Sequence, residues 1–169
     1  MHPRSIHEVP LPDAKVIEAV RQSFSTVRRD PVRLAEVFYE HLFDLAPDLR
    51  PMFGDDLTVQ HQRMAQALLD VVEWLDNPDR LRPYLQRLGN YHTNRYGVRP
   101  EHYPHVGRAL VRAVSELAPN WSSYVSSCWI LVYEWITANM LTAVEPSQAA
   151  PRAGGRPRQA APGHRTQGW

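Results

Sequence analysis

The stretch that decides the fold is LQRLGNYHTNRYGVRPEHYPHVG, residues 85–107. Apolar residues just before it and in its first turn recur at the three- and four-residue spacing of one helical face, and His92 continues that face by one more turn. These apolar residues are Leu81, Tyr84, Leu85 and Leu88. Gly97 and Pro100 then favour a turn, so a helix is predicted to end at His92. On this pattern alone, His92 is either a packed core histidine or a ligand.

Length and composition indicate a single globular domain. The chain has 169 residues, of which 43% are hydrophobic and 22% charged, and such a chain can bury one sizeable core. No apolar run approaches the roughly 18 residues of a membrane span, so a soluble protein is expected. The N-terminus lacks the apolar core of a signal peptide, and Cys128 is the only cysteine. A cytoplasmic location is therefore expected.

Prolines and cap residues divide the chain into about seven predicted helices, with no strand, which is an all-α fold. Asp30-Pro31 and Asn77-Pro78 each combine a favoured N-cap with a proline at the first helical position. Pro119-Asn120 is predicted to cap the last helix. The predicted helices cover about 13–28, 31–45, 47–53, 57–75, 78–92, a segment starting at residue 100, and 120–146.

Composition predicts three regions: a flexible N-terminal arm (1–12), a folded domain (13–146) and a disordered Pro/Arg/Gly-rich tail (147–169). The tail carries four arginines and no acid, which leaves a net charge of −3 on the remainder. A folded part with this charge is not expected to bind nucleic acid. The tail is either a solvated segment or an electrostatic hook for an acidic partner or membrane.

The common enzyme motifs are absent from the sequence. There is no glycine-rich phosphate loop, no GxSxG, no CxxC and no HExxH. His102 and His105 are three residues apart, but they lack a third acidic or sulfur ligand. They are therefore predicted to be exposed helix residues.

Four linked stretches carry a resemblance to a known family. They are FYEHLFDLAPDLRPMF at 38–53, the following helical stretch through Gln60 and Met64, LGNYH at 88–92 and YGVRPEHYPHVG at 96–107. Together they resemble a bacterial single-domain globin, close to the globin domain of flavohaemoglobins and the related bacterial haemoglobins. The resemblance covers about residues 13–145. It implies a globin fold of about seven helices sandwiching one haem b (iron protoporphyrin IX), with His92 as the iron ligand.

The resemblance also implies roles on the distal side of the haem, opposite His92. Tyr39 resembles the distal tyrosine that donates a hydrogen bond to bound O₂, and Phe53 resembles the phenylalanine that wedges against the haem face. An ungapped count from His92 places Gln60 at the distal position, with Met64 one turn later. If the register slips by one residue, His61 faces the iron instead, and a bis-histidine haem becomes an alternative.

On the proximal side, flavohaemoglobin-like globins support the histidine with a tyrosine and a glutamate. Tyr103 matches the tyrosine, and Glu145 lies about one residue from the expected glutamate; a solvated helix end is the alternative for Glu145. A carboxylate near the imidazole would favour activation of bound oxygen over storage. Val98 and Val106 are expected to contact the haem.

The sequence departs from the family in two respects. One extra residue separates His92 from Gly97, so the corner after the histidine is expected to bulge. The flavin- and nicotinamide-binding domains of flavohaemoglobins do not follow, so electrons are expected from a separate reductase. A homodimer is a further expectation if one of the tryptophans is exposed.

The function that the resemblance implies is reversible binding of O₂ and other diatomic ligands such as NO. If the protein is an enzyme, the resemblance implies nitric oxide dioxygenase activity with electrons from a separate reductase. The alternatives are a haem-based gas or redox sensor or interaction protein, and a haem enzyme of a biosynthetic pathway.

Overall fold

The computed structural model describes residues 2–142, in which all regular structure is helical and no strand occurs. Six α-helices and one longer 3₁₀ helix occupy the seven predicted places, so the all-α prediction is confirmed. They are α1 (Ala14–Val27), α2 (Pro31–Leu45), a 3₁₀ helix (Pro47–Met52), α3 (Thr58–Glu73), α4 (Pro78–Tyr96), α5 (Tyr103–Leu117) and α6 (Ser123–Leu141). A single 3₁₀ turn, Pro100–His102, precedes α5.

Side-chain caps begin α1, α2 and α4, and those of α2 and α4 are the ones that the sequence predicted. The side chains of Asp13, Asp30 and Asn77 accept hydrogen bonds from the backbone N–H three residues later, at 2.9, 3.1 and 3.2 Å. Each bond satisfies one of the backbone donors that a helix start leaves without a partner. Prolines begin α2 and α4, where the missing N–H costs no helical hydrogen bond.

Two predicted boundaries were wrong. α4 continues past His92 to Tyr96 and ends at Gly97, whose φ of 65° lies in the left-handed region that glycine adopts without strain. The extra residue before Gly97 is therefore taken up by a longer helix and not by a bulge. α6 begins at Ser123, because Ser122 and not Asn120 caps it by accepting from the Val125 N–H at 3.2 Å.

α2 lies at the centre of the domain, packed against α5 on one side and α3 on the other. α6 packs against both α1 and α4. The largest fully buried side chains include Phe24, Leu34, Leu42, Leu81, Leu85 and Trp135. α3 and α4 are joined by the short turn 74–77 but pack mainly on different partners, α2 and α6. The region between α3 and α4 is called the crevice below.

The N-terminal segment, which the sequence predicts as a flexible arm, contacts the folded domain at two points. Val9 is 5% exposed and belongs to the core, and the Arg4 guanidinium forms an ion pair with Glu134 of α6. An apolar anchor and an ion pair together hold residues 2–12 on the domain. The predicted tail, 147–169, lies outside the described residues, as does Glu145.

Within residues 2–142, no helix combines the length and the apolar content that crossing a bilayer requires.

Candidate functional site

His92 lies on the crevice side of α4 and is half buried. Its Nδ1 lies 2.7 Å from the Leu88 carbonyl oxygen. Because a carbonyl can only accept, Nδ1 carries the proton and Nε2 keeps its lone pair. Burial lowers the pKa of this imidazole, although the hydrogen bond to Leu88 opposes the shift. His92 is therefore a neutral nitrogen donor at neutral pH.

Tyr39 and Gln60 form a polar pair contributed by α2 and α3. The Gln60 amide nitrogen donates to the Tyr39 hydroxyl oxygen at 2.8 Å, and Tyr39 is 4% exposed. Burial raises the pKa of Tyr39 to about 12, an effect that the hydrogen bond from Gln60 partly offsets. The hydroxyl is thus protonated at neutral pH, and its own hydrogen remains available for another acceptor.

Aromatic side chains surround the Tyr39 ring. The ring of Phe53, which follows the 3₁₀ helix, lies 5.4 Å from it in an edge-to-face arrangement. Phe43 lies 5.7 Å from Tyr39 and 5.4 Å from Phe53. Phe43 was not among the predicted site residues, although its position four residues after Tyr39 places it on the same face of α2. Phe43 and Phe53 enclose Tyr39 with apolar surface on two sides.

The structure distinguishes the two candidates for the distal position by what they contact. Gln60 contacts the Tyr39 hydroxyl, whereas His61 lies beside the Tyr39 ring, with centroids 5.5 Å apart. Only Gln60 therefore forms a hydrogen bond with the buried hydroxyl. Met64, one turn after Gln60 on α3, is half buried and packs against the core.

Tyr96 connects the two sides of the crevice. Its ring centroid lies 6.0 Å from that of His92. Tyr96 also lies close enough to Tyr39 to interact with it electrostatically. This interaction adds to the effect of burial, which is the main cause of the raised pKa of the Tyr39 hydroxyl. The last turn of α4, the inner side of α2 and the first turns of α3 therefore converge on one region.

Tyr103 begins α5 and is 4% exposed, and burial raises its pKa to about 12. Its hydroxyl is buried without a hydrogen-bond partner among the described residues. The Tyr103 carbonyl accepts a hydrogen bond of 2.5 Å from the Tyr133 hydroxyl of α6. A side chain at Gly107 would reach the Tyr133 ring, with Cβ only 2.4 Å from a ring carbon. This glycine therefore allows the contact that fixes the start of α5.

Val98 and Val106 are half buried and pack against the edge of the core. His102 differs from its prediction as an exposed helix residue, since it is only 8% exposed. Its Nδ1 accepts from the Arg99 backbone N–H at 3.2 Å, which closes the turn before α5. His102 thus binds the backbone of its own turn through Nδ1 and is not placed as a metal ligand.

These residues fit a haem better than a metal ion bound by side chains alone. Among the described residues, no group of three His, Cys, Asp or Glu side chains could hold a metal. One neutral histidine with a free Nε2 would suit an iron whose other protein-independent ligands a porphyrin supplies. The Tyr103 hydroxyl without a partner is a further polar group available on the α5 side.

The curated relatives of the chain include flavohemoproteins. The Bacillus cereus flavohemoprotein is 32% identical over 108 residues, which are 62% of this chain and 27% of that protein. The chain therefore spans about a quarter of that relative's length. A globin-like protein of Aquifex aeolicus is 23% identical over 76% of this chain and 91% of its own length.

Solved bacterial globins have the same fold. A Campylobacter jejuni globin aligns with a TM-score of 0.64 and 25% identity, over 74% of this chain and 91% of its own. An engineered carbene transferase, made from a Rhodothermus marinus protein named for nitric oxide dioxygenase activity, aligns with a TM-score of 0.65 and 26% identity, over 74% and 87%. The globin fold implied by the sequence motifs is therefore confirmed. The Globin family model matches residues 36–140, more than half of the chain, and the chain belongs to that family.

Proposed function

We propose that this chain is a cytoplasmic globin that holds haem b on His92 and reversibly binds O₂ or NO in the crevice. The observation that carries the proposal is the Tyr39–Gln60 pair, a buried hydroxyl with a free hydrogen in a region that also contains His92. Haem iron, when bound, would supply the site for the diatomic ligand and the capacity to oxidise NO. The side chains around the crevice would hold this group and orient its ligand.

His92 would hold the iron through Nε2. Its Nδ1–H bond to the Leu88 carbonyl fixes both the tautomer and the rotation of the ring, so the donor nitrogen is oriented before the cofactor arrives. Tyr103, with its hydroxyl buried, would line the same side. We propose that Glu145, which lies outside the described residues, would support His92 as well.

On the opposite side, Tyr39 would donate to the bound diatomic ligand. The Gln60 amide donates to the Tyr39 oxygen, which orients the hydroxyl and polarises its O–H bond. A hydrogen bond to a ligand that carries partial negative charge contributes about 1.5–3 kcal/mol, a factor of roughly 10 to 100 in ligand release. Phe53, Met64, Val98 and Val106 would exclude water around it.

The enzymatic activity we propose is nitric oxide dioxygenation. One NO and one O₂ combine to give one nitrate when one electron is supplied, so continued turnover requires a reductase. The flavohemoprotein relatives are about four times as long as the region that aligns with this chain. We propose that a separate protein supplies the electron.

The test is spectroscopic first and kinetic second. Purified protein reconstituted with haem should give a Soret band at one haem per chain, a five-coordinate ferrous spectrum and a stable oxy form on exposure to air. With a reductase and nicotinamide, NO should then disappear with stoichiometric nitrate formation. Haem binding without nitrate formation would exclude the dioxygenase activity and leave ligand binding intact, whereas no Soret band would overturn the whole proposal.

A further inference from the structure

The charges of the domain are distributed very unevenly. Residues 57–69 and 80–100, which include the first three turns of α3 and most of α4, contain six arginines and no acid. The rest of the described chain contains nine basic and seventeen acidic side chains. The negative net charge of the folded part therefore hides a strongly positive side, and that side borders the crevice.

The arginines next to the crevice lie on two matching helical stripes. On α3, Gln60 and Met64 face inward. Val59 directly precedes Gln60 and Arg63 directly precedes Met64, so Val59 and Arg63 lie four residues apart on one neighbouring stripe. Val59 is 55% exposed, and Arg63 is exposed. This stripe therefore forms one rim of the crevice.

The matching stripe on α4 repeats at four-residue spacing and consists of Arg87, Tyr91 and Arg95. Arg87 directly precedes the inward-facing Leu88, and Tyr91 directly precedes the inward-facing His92. All three stripe residues are exposed, Tyr91 by 52%. None of Arg63, Arg87 and Arg95 forms an ion pair with another residue in the range 2–142. Their charges are therefore not neutralised by described neighbours.

Tyr96 joins the two rims. Its ring is edge-to-face with Tyr91 at 5.3 Å and with His92 at 6.0 Å. Interaction with the Tyr91 side chain raises the pKa of Tyr96, while the positive charges of Arg63 and Arg95 oppose that shift, so both arginines lie near this ring. Because Tyr96 is 39% exposed, it extends from the surface to the ring of His92.

We propose that the rim face formed by Val59, Arg63, Arg87, Tyr91, Arg95 and Tyr96 is the docking surface for an acidic electron-donor protein. This inference rests on the proposed function, which requires electrons from outside the chain. A partner bound here would place its redox group on the side of the domain nearest to His92. Exposed aromatic and arginine side chains together are the combination most enriched at protein interfaces.

Charge decides between the alternative occupants. The C-terminal segment 147–169 contains four arginines and no acid, so it would be repelled by this face. A haem would bring two propionate carboxylates, which can neutralise at most two of the three arginines on this face. The face therefore stays positive in the holoprotein, and a negatively charged partner is the one that it attracts. Electron-transfer partners bind through small, transient interfaces of less than about 1,200 Å², which a face of this kind can supply.

The experiment measures reduction of the ferric holoprotein by photoreduced flavodoxin, an acidic flavin protein, in a stopped-flow instrument. The variant is Arg87→Glu/Arg95→Glu, and the matched control is Arg28→Glu/Arg112→Glu, which makes the same charge change at exposed positions after α1 and on α5. At about 10 mM salt, the rim variant should react at least tenfold more slowly than wild type, because steering by opposite charges accelerates association by 10-fold or more. The control should stay within about threefold of wild type, and all three rates should converge near 0.5 M salt.

Haem content, haem release rate and O₂ dissociation should be unchanged in the rim variant, which separates loss of docking from loss of a propionate contact. Equal rates for wild type and the rim variant at low salt would overturn the docking surface while leaving the proposed function intact. A salt-sensitive dimer in light scattering that disappears in the rim variant would also overturn it, since a second copy would then occupy the face. Failure of wild type to bind haem would instead overturn the proposed function.

Discussion

Gly89 of α4 lies against the backbone of Met140 in α6, so closely that a Cβ on Gly89 would be 1.9 Å from the Met140 carbonyl oxygen. No real Cβ comes so near, and because the neighbouring atom belongs to the backbone, a change of rotamer cannot relieve the contact. This contact sets the distance between α4 and α6 one turn before His92. The position of the candidate iron ligand therefore depends on a glycine.

Gly89→Ala should destabilise the protein by about 2 kcal/mol or more, since the strain of overpacking exceeds the roughly 1 kcal/mol that alanine gains in a helix. It should also accelerate haem loss, because α4 must move away from α6. Chemical denaturation and transfer of haem to an apoprotein acceptor measure the two effects. Gly54→Ala is the matched control, since its Cβ would meet nothing within 4 Å, and its stability should stay within about 0.5 kcal/mol of wild type.

Tyr39→Phe should accelerate O₂ dissociation by roughly tenfold or more, the effect expected when a charge-assisted hydrogen bond is lost. Flash photolysis or stopped-flow ligand replacement measures this rate. Tyr124→Phe, at an exposed position of α6, should leave it unchanged. An unaltered rate in Tyr39→Phe would show that the hydroxyl does not donate to the ligand.

His92→Ala should abolish stable haem binding, measured as haem per chain after gel filtration. His61→Ala should retain one haem and an unchanged ferrous spectrum, because Gln60 and not His61 forms the hydrogen bond with Tyr39. Retention of haem by His92→Ala at normal stoichiometry would remove the central assignment. A six-coordinate ferrous spectrum that His61→Ala converts to five-coordinate would transfer the distal role to His61.

His102 should make the protein less stable in mild acid. Burial, and then the nearby Arg99, lower its pKa below the ordinary 6.5. Below pH 6.5 the unfolded chain therefore binds a proton that the folded protein does not, and the free energy of unfolding decreases as pH falls through 6.5 toward the folded pKa. Protonation would also remove the acceptor for the Arg99 N–H.

The measurement is urea denaturation from pH 7.5 to 5. His102→Asn, which keeps an acceptor oxygen but does not titrate, should show a smaller decrease than wild type, whereas His7→Asn, at an exposed position, should follow wild type. Parallel curves for wild type and His102→Asn would contradict the prediction.

Local signals in the sequence predicted most of the helices. The pairs Asp30-Pro31 and Asn77-Pro78 identify helix starts because the cap and the helix it closes are adjacent in the chain. The end of α4 was missed because Thr93, Asn94 and Arg95 are polar, so the apolar pattern stops four residues before the helix does. Gly97, the residue that ends α4, was present in the sequence as a signal for the correct boundary.

Long-range contacts could not be predicted in the same way. Nothing near Gly89 indicates that Met140 will lie against it, and Val9 gives no sign that it anchors the N-terminal segment. The predicted site residues came from the family resemblance, and the structure adds that Gln60 meets Tyr39. It also adds Tyr96, whose ring lies beside that of His92. The uneven distribution of arginine was visible in the sequence, but the surface that it forms required the positions of α3 and α4.

The packing of α3 on α2 and of α4 on α6 gives the crevice two walls of unequal stiffness. On the α4 wall, backbone lies against backbone at Gly89, and no adaptable side chain separates the helices. On the α3 wall, Gln60, His61 and Met64 are half-buried side chains. A diatomic ligand in the crevice would therefore meet flexible types of side chain on the α3 wall, opposite a helix whose position is set by backbone contact.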